Sequence, residues 1–155
     1  MIKASRIIQP LLLLVGLLAF SRSASAQLAD VIRPDPRGDF RSLLIRGPRG
    51  DYAQRFWLVV DRDPRGLWCR DPVWRRLVAL RLGAVLETDF QDPALAPLLN
   101  RQGAPYLRVR VKPIDVLEDA RIGDRGKEFS CAVRANINYL APIHPDSLGS
   151  VRLRP

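Results

Sequence analysis

Two cysteines, Cys69 and Cys131, a single histidine, His144, and a close pair of carboxylates, Glu87 and Asp89, are the residues here whose chemistry could make or break bonds. A nucleophilic cysteine needs a base to take its proton, and a redox-active pair is set as Cys-x-x-Cys. Neither cysteine has a histidine near it in sequence, and the two are far apart, so a structural bridge is the better account. His144 is flanked by Pro142 and Pro145 near the end of the chain and reads as a surface residue rather than a base. Glu87 and Asp89 fall on one face of an extended segment, as a glycosidase pair would. Solvated strand charges account for them better. No serine sits in a nucleophile elbow, no His/Cys/Asp cluster has metal-ligand spacing, and no glycine-rich phosphate loop is present. The expectation is a protein that is not an enzyme and takes no cofactor or metal.

Binding chemistry is better supplied. Trp68, Trp74, Tyr106 and Tyr139 are candidate contact residues, and Arg108, Arg110 and Lys112 form a row of cations. Aromatic rings beside guanidinium groups suit stacking on a peptide, a sugar or a proline-rich segment. Trp57, inside an apolar run, reads as core.

These residues need strands to position them. Phe56 to Asp61 is aromatic and β-branched, hence a strand, and Asp63-Pro64-Arg65-Gly66 is a turn into a second strand ending at Arg70. In that strand Leu67 and Cys69 share one face and Trp68 points the other way. Leu77 to Asp89 reads as extended structure around Gly83. Residues 91–104 read as an insertion with one helical turn at Ala94 to Leu99. In the clearest strand Leu107, Val109 and Val111 alternate with Arg108, Arg110 and Lys112, giving a core face and a cationic face. A charged loop over 115–127 leads to a strand from Phe129 to Arg134, which turns Cys131 inward, and Asn136 to Leu140 is a turn. Short strands with turn signals between them predict a small all-β barrel or sandwich.

The chain opens with Lys3 and Arg6, an apolar run to Phe20 and an Ala24-Ser25-Ala26 signature. That order reads as a cleavable export signal over residues 1–26, cut between Ala26 and Gln27. Its uninterrupted run, Leu11 to Phe20, is about half the roughly 20 apolar residues a spanning helix needs. No stable membrane span is expected. The formal charge of +9 falls to +6 once Lys3, Arg6 and Arg22 are removed. Export places the protein in the periplasm or outside the cell. There an even cysteine count predicts one bridge, Cys69 to Cys131. Export also argues against nucleic acid as partner, although aromatic rings with cations would fit a single strand. Residues 27–54, rich in Arg, Pro, Gly and Asp, read as a flexible arm. The Arg-Gly-Asp tripeptides at 37–39 and 49–51 read as charge-balanced linker rather than adhesion signals. Residues 55–145 form the domain, and 146–155 a loose tail.

The order of motifs over about residues 56–143 resembles the bacterial SH3-like domain family, five-stranded barrels of extracytoplasmic proteins. Gly66-Leu67-Trp68-Cys69-Arg70 is similar to the family's opening strand. Leu80 to Leu86 is similar to its glycine-bearing turn, and Tyr106-Leu107-Arg108-Val109 to its aromatic-x-x-Val strand. Ala132-Val133 and Asn138-Tyr139-Leu140 resemble its closing strand and turn. Cys131-Ala132 stands where the family carries Gly-Trp, and the insertions near 91–104 and 113–127 are longer than usual. The resemblance implies an SH3-like β-barrel with two loop insertions. It implies a groove near Tyr106 and Tyr139 and a binding role toward cell-wall peptide or an envelope protein. A structural or accessory subunit of an envelope complex is the alternative.

Overall fold

The computed structural model describes residues 31–47, 50–91, 95–117 and 127–148. The expected signal, residues 1–26, its cleavage site and tail residues 149–155 lie outside the described residues. Within them the protein is all-β. The strands are β1 (Leu44–Gly47), β2 (Gly50–Ala53), β3 (Phe56–Val59), β4 (Leu67–Arg70), β5 (Arg76–Leu80), β6 (Val85–Thr88), β7 (Leu98–Arg101), β8 (Ala104–Val111), β9 (Phe129–Arg134) and β10 (Leu140–Ile143). Among the described residues no helix is long and apolar enough to cross a membrane.

Strand alternation fixes which face each side chain takes. β8 buries Leu107, Val109 and Val111 and turns Tyr106, Arg108 and Arg110 outward, as the sequence pattern predicts. β6 turns Leu86 and Thr88 inward and Val85 and Glu87 outward. β4 buries Leu67 and Cys69 and leaves Trp68 half-buried. β1 and β2 make a separate hairpin. The remaining strands form one antiparallel sheet in the order β10-β3-β6-β8-β9-β4-β5, with β7 also paired to β8. Inward side chains from both ends of this sheet, Leu140 and Leu80 among them, belong to one hydrophobic cluster, so the sheet curls around its core. Trp57 is fully buried there, and its indole N–H donates to the Thr88 hydroxyl at 2.9 Å.

The sheet does not close, which corrects the expectation of a barrel. The outer edge of β5 is occupied by the chain that follows β8: Arg81 N–H donates to the Asp115 carbonyl at 3.0 Å and Leu117 N–H to that of Ala79 at 2.9 Å. The other edge, β10, carries Pro142, which an edge strand tolerates because the missing donor faces away from the ladder. The joint between β9 and β4 is narrow. Their register contains a single pair, Arg70 with Ala132. A disulfide crosses this joint, Cys69 to Cys131, with a Cα separation of 5.7 Å.

The arm expected over 27–54 is also corrected where it is described. Ile32, Phe40, Leu43 and Ile45 are buried in the core cluster. Phe40 packs edge-on against Trp57, ring centroids 5.1 Å apart. The Pro, Asp and Gly residues form a turn rather than a loose chain. The Asp35 carboxylate accepts the N–H groups of Arg37 and Asp39, both at 2.9 Å, and Gly38 takes φ 82. A side chain at Gly38 would place its Cβ 2.8 Å from Ile137. Asp39, the acid of the first Arg-Gly-Asp, is buried. It accepts from Arg134 at 2.6 Å, Asn136 at 2.8 Å and Arg41 at 3.1 Å. Arg49 of the second copy lies outside the described residues.

Three local expectations change. Residues 77–89 hold two strands separated by a turn. The described part of 94–99 contains no helical turn and leads into β7, joined to β8 through Gln102 and Gly103 at φ 51 and 80, a pairing of positive values typical of tight hairpins. The described part of the tail holds a 3₁₀ turn, Pro145–Ser147, whose cap is the His144 side chain accepting the Asp146 N–H at 3.2 Å.

Candidate binding site

The β4–β5 connection begins at Asp71, whose carboxylate organises it. It accepts the N–H of Val73 at 3.0 Å, that of Arg75 at 2.9 Å and the Arg75 Nε at 2.8 Å. Burial alone would raise this carboxyl, but the backbone and side-chain hydrogen bonds from Arg75 outweigh it and hold it below its ordinary value. The turn sets Trp74 at φ 70, a left-handed conformation that a bulky side chain rarely adopts. Arg70 Nη1 donates to the Trp74 carbonyl at 3.1 Å and fixes the far side.

So placed, the indole meets Tyr106 on the outer face of β8. The rings are nearly perpendicular, at 75°, with centroids 4.9 Å apart. Arg101, at the end of β7, lays its guanidinium over the Trp74 ring, 4.4 Å from the centroid. Arg134 lies 5.9 Å from the Tyr106 ring. Beside this cluster the Asp71–Trp74 turn, the approach to β7 and the outer faces of β8 and β9 enclose a groove of about 370 Å³. Pro72, Trp74, Leu95, Leu99 and Ala132 make it largely apolar, with Arg70 and Arg108 at its flanks.

The structure therefore brings Trp74, Tyr106 and Arg108 together and leaves the other expected contact residues elsewhere. Trp68 is half-buried under Arg76, whose guanidinium lies 4.9 Å from its ring. Tyr139 sits in the turn before β10 and packs against the core. Arg110 and Lys112 line a different cavity, about 340 Å³, with Phe56, Ile114 and Glu128.

The cationic row is not a row of free charges. Arg108 pairs with Asp89 at 3.2 Å, and Arg110 pairs with Glu87. Arg55 also donates to Glu87, at 2.6 Å. Lys112 is exposed. The carboxylates are thus ion-paired rather than solvated. Burial would raise the Glu87 carboxyl, but hydrogen bonds and charge from Arg110 and Arg55 outweigh it and hold it below the usual range. Asp89 is likewise raised by burial and lowered further by Ser130, the Gln91 N–H, Arg108 and Arg110. A general acid needs the opposite shift, so these two carboxylates act here as anchors for strand arginines. Among the described residues no group of three or more His, Cys, Asp or Glu is set to hold a metal ion.

Sequence reasoning missed Arg101, Asp71 and Leu99. The turn signal at Gln102-Gly103 could have found the β7–β8 hairpin and, with it, Leu99 opposite Tyr106 and Arg101 opposite Ala104. No family model matches the chain, and no curated protein or solved structure matches it significantly.

Proposed function

We propose that the protein is a non-catalytic binding module of the bacterial SH3-like type, exported to the periplasm or cell envelope. There it recognises cell-wall peptide or an envelope protein through the groove beside Trp74 and Tyr106. The observation that carries this function is Trp74 itself. A tryptophan held at φ 70 by an Asp71 network, packed edge-on against Tyr106 and covered by Arg101, forms a preorganised aromatic platform next to an apolar groove. Strained side chains cluster where a ligand must be met in a fixed geometry, and preorganisation lowers the cost of binding. The disulfide supports an oxidising compartment. The order of motifs supports the SH3-like kinship, although the open sheet, the insertions and the N-terminal hairpin are departures from a five-stranded barrel.

The test is retention of the mature protein on purified peptidoglycan and on an immobilised envelope extract, compared with Trp74→Ala. The expected result is retention by one of the two supports and a loss of at least about tenfold in the variant, the scale of an aromatic anchor at an interface. Equal retention of both forms, or none of either, counts against the groove. Circular dichroism and a thiol count on the variant exclude misfolding as the cause.

A further inference from the structure

Resting on the groove as the binding site, we infer that its occupant is an extended segment of a partner protein presenting an acidic side chain beside a large apolar one. Charge around the groove carries the argument. Three nearby arginines have carboxylates of their own: Arg75 with Asp71 at 2.8 Å, Arg108 with Asp89 at 3.2 Å and Arg134 with Asp39 at 2.6 Å. Arg101 and Arg70 do not. Among the described residues Arg101 makes its contact with the Trp74 ring, and Arg70 donates to the Trp74 carbonyl. Neither meets an acid among the described residues: Arg70 lines the groove, and Arg101 sits beside it over the ring of Trp74, which also lines it, so positive charge gathers at this end of the groove.

Arg101 is also poised. Its guanidinium carbon lies 4.4 Å from the centre of the indole ring, and a guanidinium presents its N–H groups as a planar fork. This fork matches a carboxylate in two parallel hydrogen bonds. The apolar half of the occupant follows from the lining. Pro72, Leu95, Leu99 and the small Ala132 offer room for a large hydrocarbon or aromatic side chain. Val73 and Leu95, 66% and 48% exposed, extend that surface at the turn and at the approach to β7. A sugar would need several convergent polar groups, and the Asp71 carboxylate is already engaged by Val73 and Arg75. A wall peptide of small side chains would leave the groove walls in water.

Selection from a displayed random-heptapeptide library on the oxidised mature protein tests this. The expected winners carry Asp or Glu next to Leu, Ile, Phe or Trp. A synthetic winner should lose about tenfold in affinity with Arg101→Gln. It should lose the same when its own acid is changed to the amide, and no more when both changes are made, the signature of a direct pair. Ala132→Leu, which fills the groove, should abolish binding while the disulfide and the far-ultraviolet spectrum are unchanged. Winners without acids, an Arg101→Gln protein that binds as the parent does, or no enrichment at all overturns the inference. If Trp74-dependent retention on peptidoglycan persists in that case, the groove still functions and only its occupant is wrong. Loss of both removes the binding function itself.

Discussion

A tryptophan at φ 70 carries a backbone strain of about 1–3 kcal/mol. Asp71 and Arg70 supply the hydrogen bonds that hold it there. Two substitutions separate the strain from the ring. Trp74→Ala removes the indole and keeps the strain, whereas Trp74→Gly removes both. The glycine variant should therefore unfold at a higher denaturant concentration than the alanine variant, although each loses the platform. Equal midpoints would show that the turn imposes no strain. At this scale the sequence was legible where a side chain's face depends on its own strand. The alternation of residues 107–112 assigned core and surface correctly. It was not legible where a partner comes from elsewhere. Arg108 and Arg110 looked like a free cationic row because Asp89 and Glu87 reach them from 19 and 23 residues away.

The β4–β5 hairpin depends on few attachments. One register pair joins it to β9, the 115–117 segment lies along its far edge, and the disulfide spans 62 residues of sequence. Closing a loop of that length stabilises by about 4 kcal/mol on the chain-entropy model. Replacing Cys69 and Cys131 by alanine should cost up to that amount. Amide exchange should then accelerate first in Leu67–Leu80, ahead of β3, β6 and β8. Uniform acceleration across the sheet would mean that the hairpin has no separate stability. The strands read correctly from sequence, β3, β4, β8 and β9, bury alternate residues or sit beside a strong turn. β2, β7 and β10 escaped because each has four residues and lies in a separate hairpin or at a border of the main sheet. Pro142 and the Pro- and Leu-bearing stretch before β7 give no alternation to read. Their strand character comes from a neighbour's hydrogen bonds.

Across the whole molecule, arginine–carboxylate pairs tie separate strands together, and acid should undo them. Glu87 and Asp89 have folded values below their ordinary ones. Their stabilisation is complete above the unfolded carboxylate range and is lost as pH falls through the depressed folded values. Asp115 has the opposite sign: burial raises its carboxyl, so it disfavours the fold as pH rises and it ionises. Urea midpoints measured between neutral and strongly acidic pH should therefore fall, and Glu87→Gln should flatten the decline. An unchanged slope in that variant would assign the acid sensitivity to other groups. Open or closed sheet was not readable at this scale, because closure depends on what each edge strand meets rather than on any local pattern.

Asp39 and Asn136, bonded at 2.8 Å, are 97 positions apart, and Phe40 N–H donates to the carbonyl of Ala135. The beginning of the described chain is thus clasped to a region near its end. Such high contact order delays folding until distant partners are present. A nascent chain that ends before Asn136 lacks the clasp over Phe40 and Trp57, so ribosome-held fragments should stay protease-sensitive until this last stretch emerges. The same lateness keeps a newly made chain threadable.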